Sequence, residues 1–155
     1  MSENIDNRLE ELGINLPTPA QSVANYVPFV LTGNLVHISG QIPILNGDLK
    51  YVGKIGAELT LDDGYSAARL CGLNLIAQAR AAAGGDLNRV SQVVKIGGFV
   101  NSNPEFIDQP KIINGASDLM VEVFDDKGQH ARFAVSSSSL PLGVAVEIDG
   151  IFELK

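Results

Sequence analysis

The chain has one cysteine, Cys71, and no tryptophan among its 155 residues. A single cysteine excludes an intrachain disulfide framework and fits a reducing compartment, so a cytoplasmic location is expected. Basic charge is scarce and dispersed. Eleven Lys and Arg stand against 18 Asp and Glu, for a net charge of −7, and no two basic residues are adjacent. Such a chain repels a phosphate backbone, and nucleic acid is not an expected partner. No stretch approaches the roughly 20 apolar residues of a membrane-spanning helix, and the opening MSENIDNRLEELGI is acidic and lacks the apolar run of a secretory signal. His37 and His130 have no Cys or acidic neighbours at metal-ligand spacing, so no metal site is expected. The serines at 136–139 lack the glycine flanks of a hydrolase elbow, and Gly84-Gly85 and Gly97-Gly98 lie in no phosphate-binding pattern.

What is present describes an ordinary globular chain, 45% hydrophobic and 19% charged. Its length fits one domain over residues 1–155, with 1–19 as an N-terminal helix and extension. Ile5, Leu9 and Leu12 recur at helical spacing before Gly13. Apolar runs at 26–31 and 35–39 flank Thr32-Gly33-Asn34, a hairpin pattern. Residues 47–56 read as a glycine-rich loop. Leu61-Asp62-Asp63 offers a carboxylate cap for a helix whose stripe is Ala68, Cys71, Leu75 and Ala79, ended by Gly84-Gly85. Residues 90–100 read as a strand with Gly97-Gly98 as a bulge or close approach. Residues 104–124 read as a second helix, and 131–137 and 144–152 as two strands. The order β-β-α-β-α-β-β predicts a mixed sheet with two helices packed on one face. The other face then needs a cover, which points to a symmetric oligomer.

Cys71 on the apolar stripe reads as a small buried hydrophobe. Two charged residues within the late strands carry more chemistry. Side chains alternate along a strand, so Arg132, Ala134 and Ser136 face opposite to Phe133 and Val135, and Glu147 faces opposite to Val146 and Ile148. If the two strands are neighbours, one sheet face presents a guanidinium and a carboxylate. The commoner arrangement for such a pair is a solvated surface ion pair of little energetic weight. The functional alternative is that Arg132 binds a substrate carboxylate through its planar fork while Glu147 acts as general base toward water.

The run Ser39-Gly40-Gln41-Ile42-Pro43, with Tyr26 upstream, resembles the N-terminal signature of the RidA (YjgF, endoribonuclease L-PSP) family. The segments Ala131-Arg132-Phe133-Ala134-Val135, Leu140-Pro141 and Val144-Ala145-Val146-Glu147-Ile148-Asp149 resemble its C-terminal signature. The likeness covers residues 20–153 and falls closest to a longer subgroup.

The resemblance implies a chorismate-mutase-like α/β fold, of the α+β kind. It also implies a homotrimer whose sheets form a central barrel with clefts at the subunit boundaries. Active members hydrolyse enamines or imines, such as 2-aminoacrylate and its imine tautomer, to 2-keto acids and ammonia, with no metal or organic cofactor. By matched position, Arg132 would hold the substrate carboxylate, Glu147 would activate water, and Tyr26 would line the cleft. Ser39 and the backbone near Gly40 and Ala134 would meet the ligand, with Asn114 close by. Many relatives carry Cys where this chain has Ala134. The insertion at 47–61 is expected to reshape or cover the cleft. A small-carboxylate sensor using the same cleft is the second reading. A ribonuclease is the third, against which the acidic charge and the lack of a His pair count.

Overall fold

The computed structural model describes residues 4–155. Its elements are α1 (Ile5–Glu11), β1 (Phe29–Thr32), β2 (Leu35–Gln41), β3 (Ile44–Leu45), β4 (Asp48–Leu49), α2 (Leu61–Ala82), β5 (Val90–Asn101), α3 (Gln109–Phe124), β6 (Ala131–Ser137) and β7 (Val146–Leu154). α2 begins where a hydroxyl can close its first turn. Thr60 accepts from the Asp63 amide at 3.2 Å, and the Asp63 carboxylate accepts from the Thr60 amide at 2.9 Å. This reciprocal box replaces the carboxylate cap expected at 61–63: Thr60 is the cap and Asp63 its partner. The stripe Ala68, Cys71, Leu75 and Ala79 is wholly buried, and Gly84 at φ +69° ends the helix. α3 starts at Gln109 rather than at 104, with Pro110 in its first turn, where a missing N–H costs nothing.

β1 and β2 form the expected hairpin, with Gly33 at φ +59° in its two-residue turn. The five-stranded sheet runs β1-β2-β7-β5-β6; all pairs are antiparallel except β5–β6. A parallel pair needs a crossover, and α3 provides it. Both long helices pack on one sheet face, where Val36, Ile38, Ile96, Val100, Val146, Ile148 and Phe152 are buried with them. Among the described residues, the opposite face carries no helix. There Val30, Phe99 and Val135 stay 52%, 38% and 43% exposed, and Phe99 meets Phe133 edge-to-face at 5.4 Å.

Gly97 and Gly98 prove to be close approaches rather than bulges. A Cβ at 97 would strike the Phe133 ring, and one at 98 would strike Ile113 of α3. The register shifts of β5 lie earlier, between Val90 and Gln92 and between Val93 and Lys95. Residues 47–56 are not wholly loop, since β4 pairs with β3.

The two helices meet through small residues. Gly72 lies against Ala116, and a Cβ on Gly115 would overlap the Tyr65 carbonyl oxygen. That obstacle is backbone and cannot rotate away. Gly115→Ala should therefore lower stability by roughly 1–3 kcal/mol. Urea unfolding tests this, and an unchanged midpoint would mean that the helices separate freely.

Candidate functional site

A cleft of about 450 Å³ lies beside the bend of β2. That size suits a small organic ligand. Its walls include Gln21, Val23, Tyr26, Ser39, Gly40, Leu142 and Glu147. The walls are pinned by two amides one helical turn apart on α2. Asn74 donates to the carbonyls of Ile42 and Ile44 at 3.1 and 2.9 Å, and Gln78 donates to the Ala20 carbonyl at 3.0 Å. Both side chains are buried, so each bond is made out of competition with water. Ser39 holds the entrance. Its hydroxyl donates to the Val27 carbonyl at 2.8 Å and its amide to the Pro28 carbonyl at 2.8 Å, fixing the segment that presents Tyr26.

Glu147 is half-buried in this cleft, and its carboxylate makes no hydrogen bond or ion pair among the described residues. Burial, and then the nearby Asp149 charge, push its carboxyl above the ordinary value. Gly40 is what admits it, because a Cβ at position 40 would occupy the space of the Glu147 carboxylate.

Arg132 is held elsewhere. Its Nη1 donates to Asn114 Oδ1 at 2.8 Å and to Ser117 Oγ at 3.1 Å, both on α3. No carboxylate lies within ion-pair distance of it among the described residues. Elsewhere in the chain, Arg8, Arg69, Arg80 and Lys111 each have one. Arg132, like Arg89, is thus left without a carboxylate partner among the described residues, and its Nε and Nη2 make no bond within the chain.

The expected neighbourhood of the two charged strands is corrected. β5 lies between β6 and β7. Arg132 pairs with Ile96, a core residue, and so faces the helices, whereas Glu147 pairs with the exposed Phe99 on the uncovered face. Two strand spacings and a three-residue offset put their Cα atoms on the order of 14 Å apart. Within one chain the site falls into halves. Tyr26, Ser39, Gly40 and Glu147 form one half; Arg132 and Asn114 form the other, with Ala134 next to Arg132 on its own face. Because β6 is an edge strand, half of its amides point outward near Ala134.

The insertion at 47–61 does not line the cleft. It backs the loop that does, through bonds from Gly53 N to Gly143 O and from Ala145 N to Tyr51 O. The stretch from Ala20 to Val23, which follows the N-terminal extension, supplies a wall instead. Asn74, Gln78 and Ser117 were not singled out from sequence. The signal available was a polar side chain set into an otherwise apolar helix.

Residues 6–152 match the family described as "YjgF/chorismate_mutase-like, putative endoribonuclease". The chain belongs to the YjgF/RidA family. It is 46% identical over 154 residues to protein TCP17 of Trypanosoma cruzi, covering 99% of this chain and 96% of that protein. The crystal structure of Atu1372 from Agrobacterium tumefaciens superposes with a TM-score of 0.91 at 45% identity, covering 97% of this chain and 92% of that one. At the level of fold alone, TdcF of E. coli, solved with serine bound, superposes at 0.62 and 23% identity over 92% and 97% of the two chains. The mixed sheet with helices on one face is the fold of this RidA family.

Glu147 binds its proton more tightly folded than unfolded, so its charged form opposes folding once the pH rises past the unfolded value. Glu147→Gln should therefore raise the thermal midpoint at pH 7, with the gain vanishing below about pH 4. Calorimetry across that range checks the sign; a lowered midpoint at pH 7 would refute it.

Proposed function

We propose that the protein hydrolyses 2-imino and 2-enamino acids to 2-keto acids and ammonia, at a site completed between two copies of the chain. The observation that carries this reading is Arg132, fixed by two neutral oxygens and left without a carboxylate. An orienting shell that does not cancel the charge is what binding of a substrate carboxylate requires. Glu147 is the complementary half: a partnerless carboxylate in a cleft, its proton affinity raised toward the working pH. One chain keeps these halves on opposite sheet faces, so the reading needs a second copy to bring Arg132 over the partner's cleft. The exposed apolar side chains of the uncovered face give the copies a reason to associate. A homotrimer is the closed assembly that the family likeness favours.

The chemistry then runs as follows. Arg132 holds the substrate carboxylate. Glu147 takes a proton from water as the water oxygen bonds to the imine carbon, and the carbon–nitrogen π pair moves onto nitrogen. Glu147 returns the proton to that nitrogen. Glu147 then carries the proton of the new hydroxyl to the amine, and the carbon–nitrogen bond breaks with its electron pair going to nitrogen as the oxygen pair forms the carbonyl, leaving ketone and ammonia. Tyr26 at the rim closes the cleft over the reacting carbon. Nothing in this sequence calls for a metal or an organic cofactor.

RNA cleavage has less support. The net charge is −7, and four of the basic side chains are already paired with carboxylates.

Imines generated in situ by an amino-acid oxidase provide the assay. Arg132→Ala should lower kcat/KM at least about 100-fold; unchanged turnover would end the proposal. Co-expressed Arg132→Ala and Glu147→Gln chains should regain about a quarter of wild-type activity, since a shared site is intact only where unlike neighbours meet in the right order. No regain would mean that the two residues do not share a site across copies. Burial chiefly raises the Glu147 carboxyl and the Asp149 charge adds to it, so Asp149→Asn should move the acid limb of kcat/KM part of the way to lower pH; an unmoved limb would count against Glu147 as the base.

A further inference from the structure

Arg132 does not stand on its two acceptors alone. Ser117 Oγ lies 2.9 Å from His130 Nε2, and His130 Nδ1 lies 2.6 Å from the Gly128 carbonyl oxygen. A carbonyl only accepts, so Nδ1 carries the proton. In the neutral ring Nε2 is then an acceptor, and the Ser117 hydroxyl must donate to it. This turns the lone pairs of Ser117 toward Arg132 and makes the hydroxyl an acceptor for Nη1. The chain of donation runs one way, from Arg132 to Ser117 to His130 to Gly128. Its far end is rigid: Gly128 is buried, and a Cβ there would overlap the Met120 carbonyl of α3. Asn114 and Ser117, three residues apart, lie on one helix face and take the two hydrogens of Nη1. Nε and Nη2 are thereby presented as a fork.

We infer that Ser117 and His130 are positioning residues for carboxylate recognition, acting through Arg132 without touching the ligand. The inference rests on the reading of Arg132 as the carboxylate-binding group. Two features mark this as more than packing. The polarity of the chain is set by His130, two bonds away from the cation. The residues act in series, so their effects should not add.

The test uses 2-ketobutyrate binding, read by calorimetry on the purified oligomer, beside the KM for imine hydrolysis. Ser117→Ala should weaken binding roughly 10-fold, the scale of one hydrogen bond to a charged group. The same change should raise KM while kcat stays nearly constant, as expected for contacts equal in ground and transition states. Ser117→Thr retains the hydroxyl and should restore affinity. His130→Gln keeps an acceptor for Ser117 and should bind as the wild type does, whereas His130→Leu should match Ser117→Ala. The double variant Ser117→Ala, His130→Leu should be no weaker than Ser117→Ala alone. If wild type fails to bind 2-ketobutyrate, or binding survives Arg132→Ala, the parent reading falls and this one with it. If binding is lost in Arg132→Ala but intact in Ser117→Ala, or if the double variant is additive, only the positioning role is overturned.

Discussion

Two neutral oxygens, from Asn114 and Ser117, occupy the place beside Arg132 that a carboxylate would take in an ordinary ion pair. Holding a cation by dipoles fixes its direction and leaves its charge available. Much else in the fold serves that arrangement. α3 must cross over the β5–β6 pair for Asn114 and Ser117 to reach the strand, and its close passage over Gly98 permits it. The short connection from Asp125 to His130 then carries the hydrogen-bond chain back to the start of β6.

Most of the architecture was legible in the sequence. The helical stripe at 68–79, the Gly33 hairpin and the β-branched run from Val90 each mark their element by period or turn chemistry, and all three appear where expected. Boundaries moved where a single residue decided them, as with Thr60 at the head of α2 and Pro110 at the head of α3. The alternation within β6 and within β7 was also read correctly.

What alternation does not contain is the phase between strands. Phe133 and Val135 look like core residues, and so do Val146 and Ile148, yet the first pair faces the uncovered side and the second faces the helices. An antiparallel sheet with one wet face would betray this by polarity. In β7 the polarity does mark the phase, with Glu147 and Asp149 on the uncovered face. In β6 it is inverted, with Arg132 toward the helices and Phe133 and Val135 away from them, so the two strands together are ambiguous. That ambiguity also hid the division of the site, because it made one sheet face seem to hold both charges. Four of the residues carried by family likeness do meet in one cleft, at Tyr26, Ser39, Gly40 and Glu147. The amides that pin that cleft, Asn74 and Gln78, were invisible because nothing in sequence says which carbonyls a helix amide will reach.

Gly40 has a consequence of a different kind. The obstacle to a side chain there is the far end of a flexible glutamate, not backbone. A single extra methyl group would displace the carboxylate and leave the strand pairing of β2 in place. On the reading of Glu147 proposed above, mutation at this position would silence chemistry without lowering protein abundance, unlike the usual route by which damaging changes act. Natural selection at position 40 would then read metabolism rather than folding.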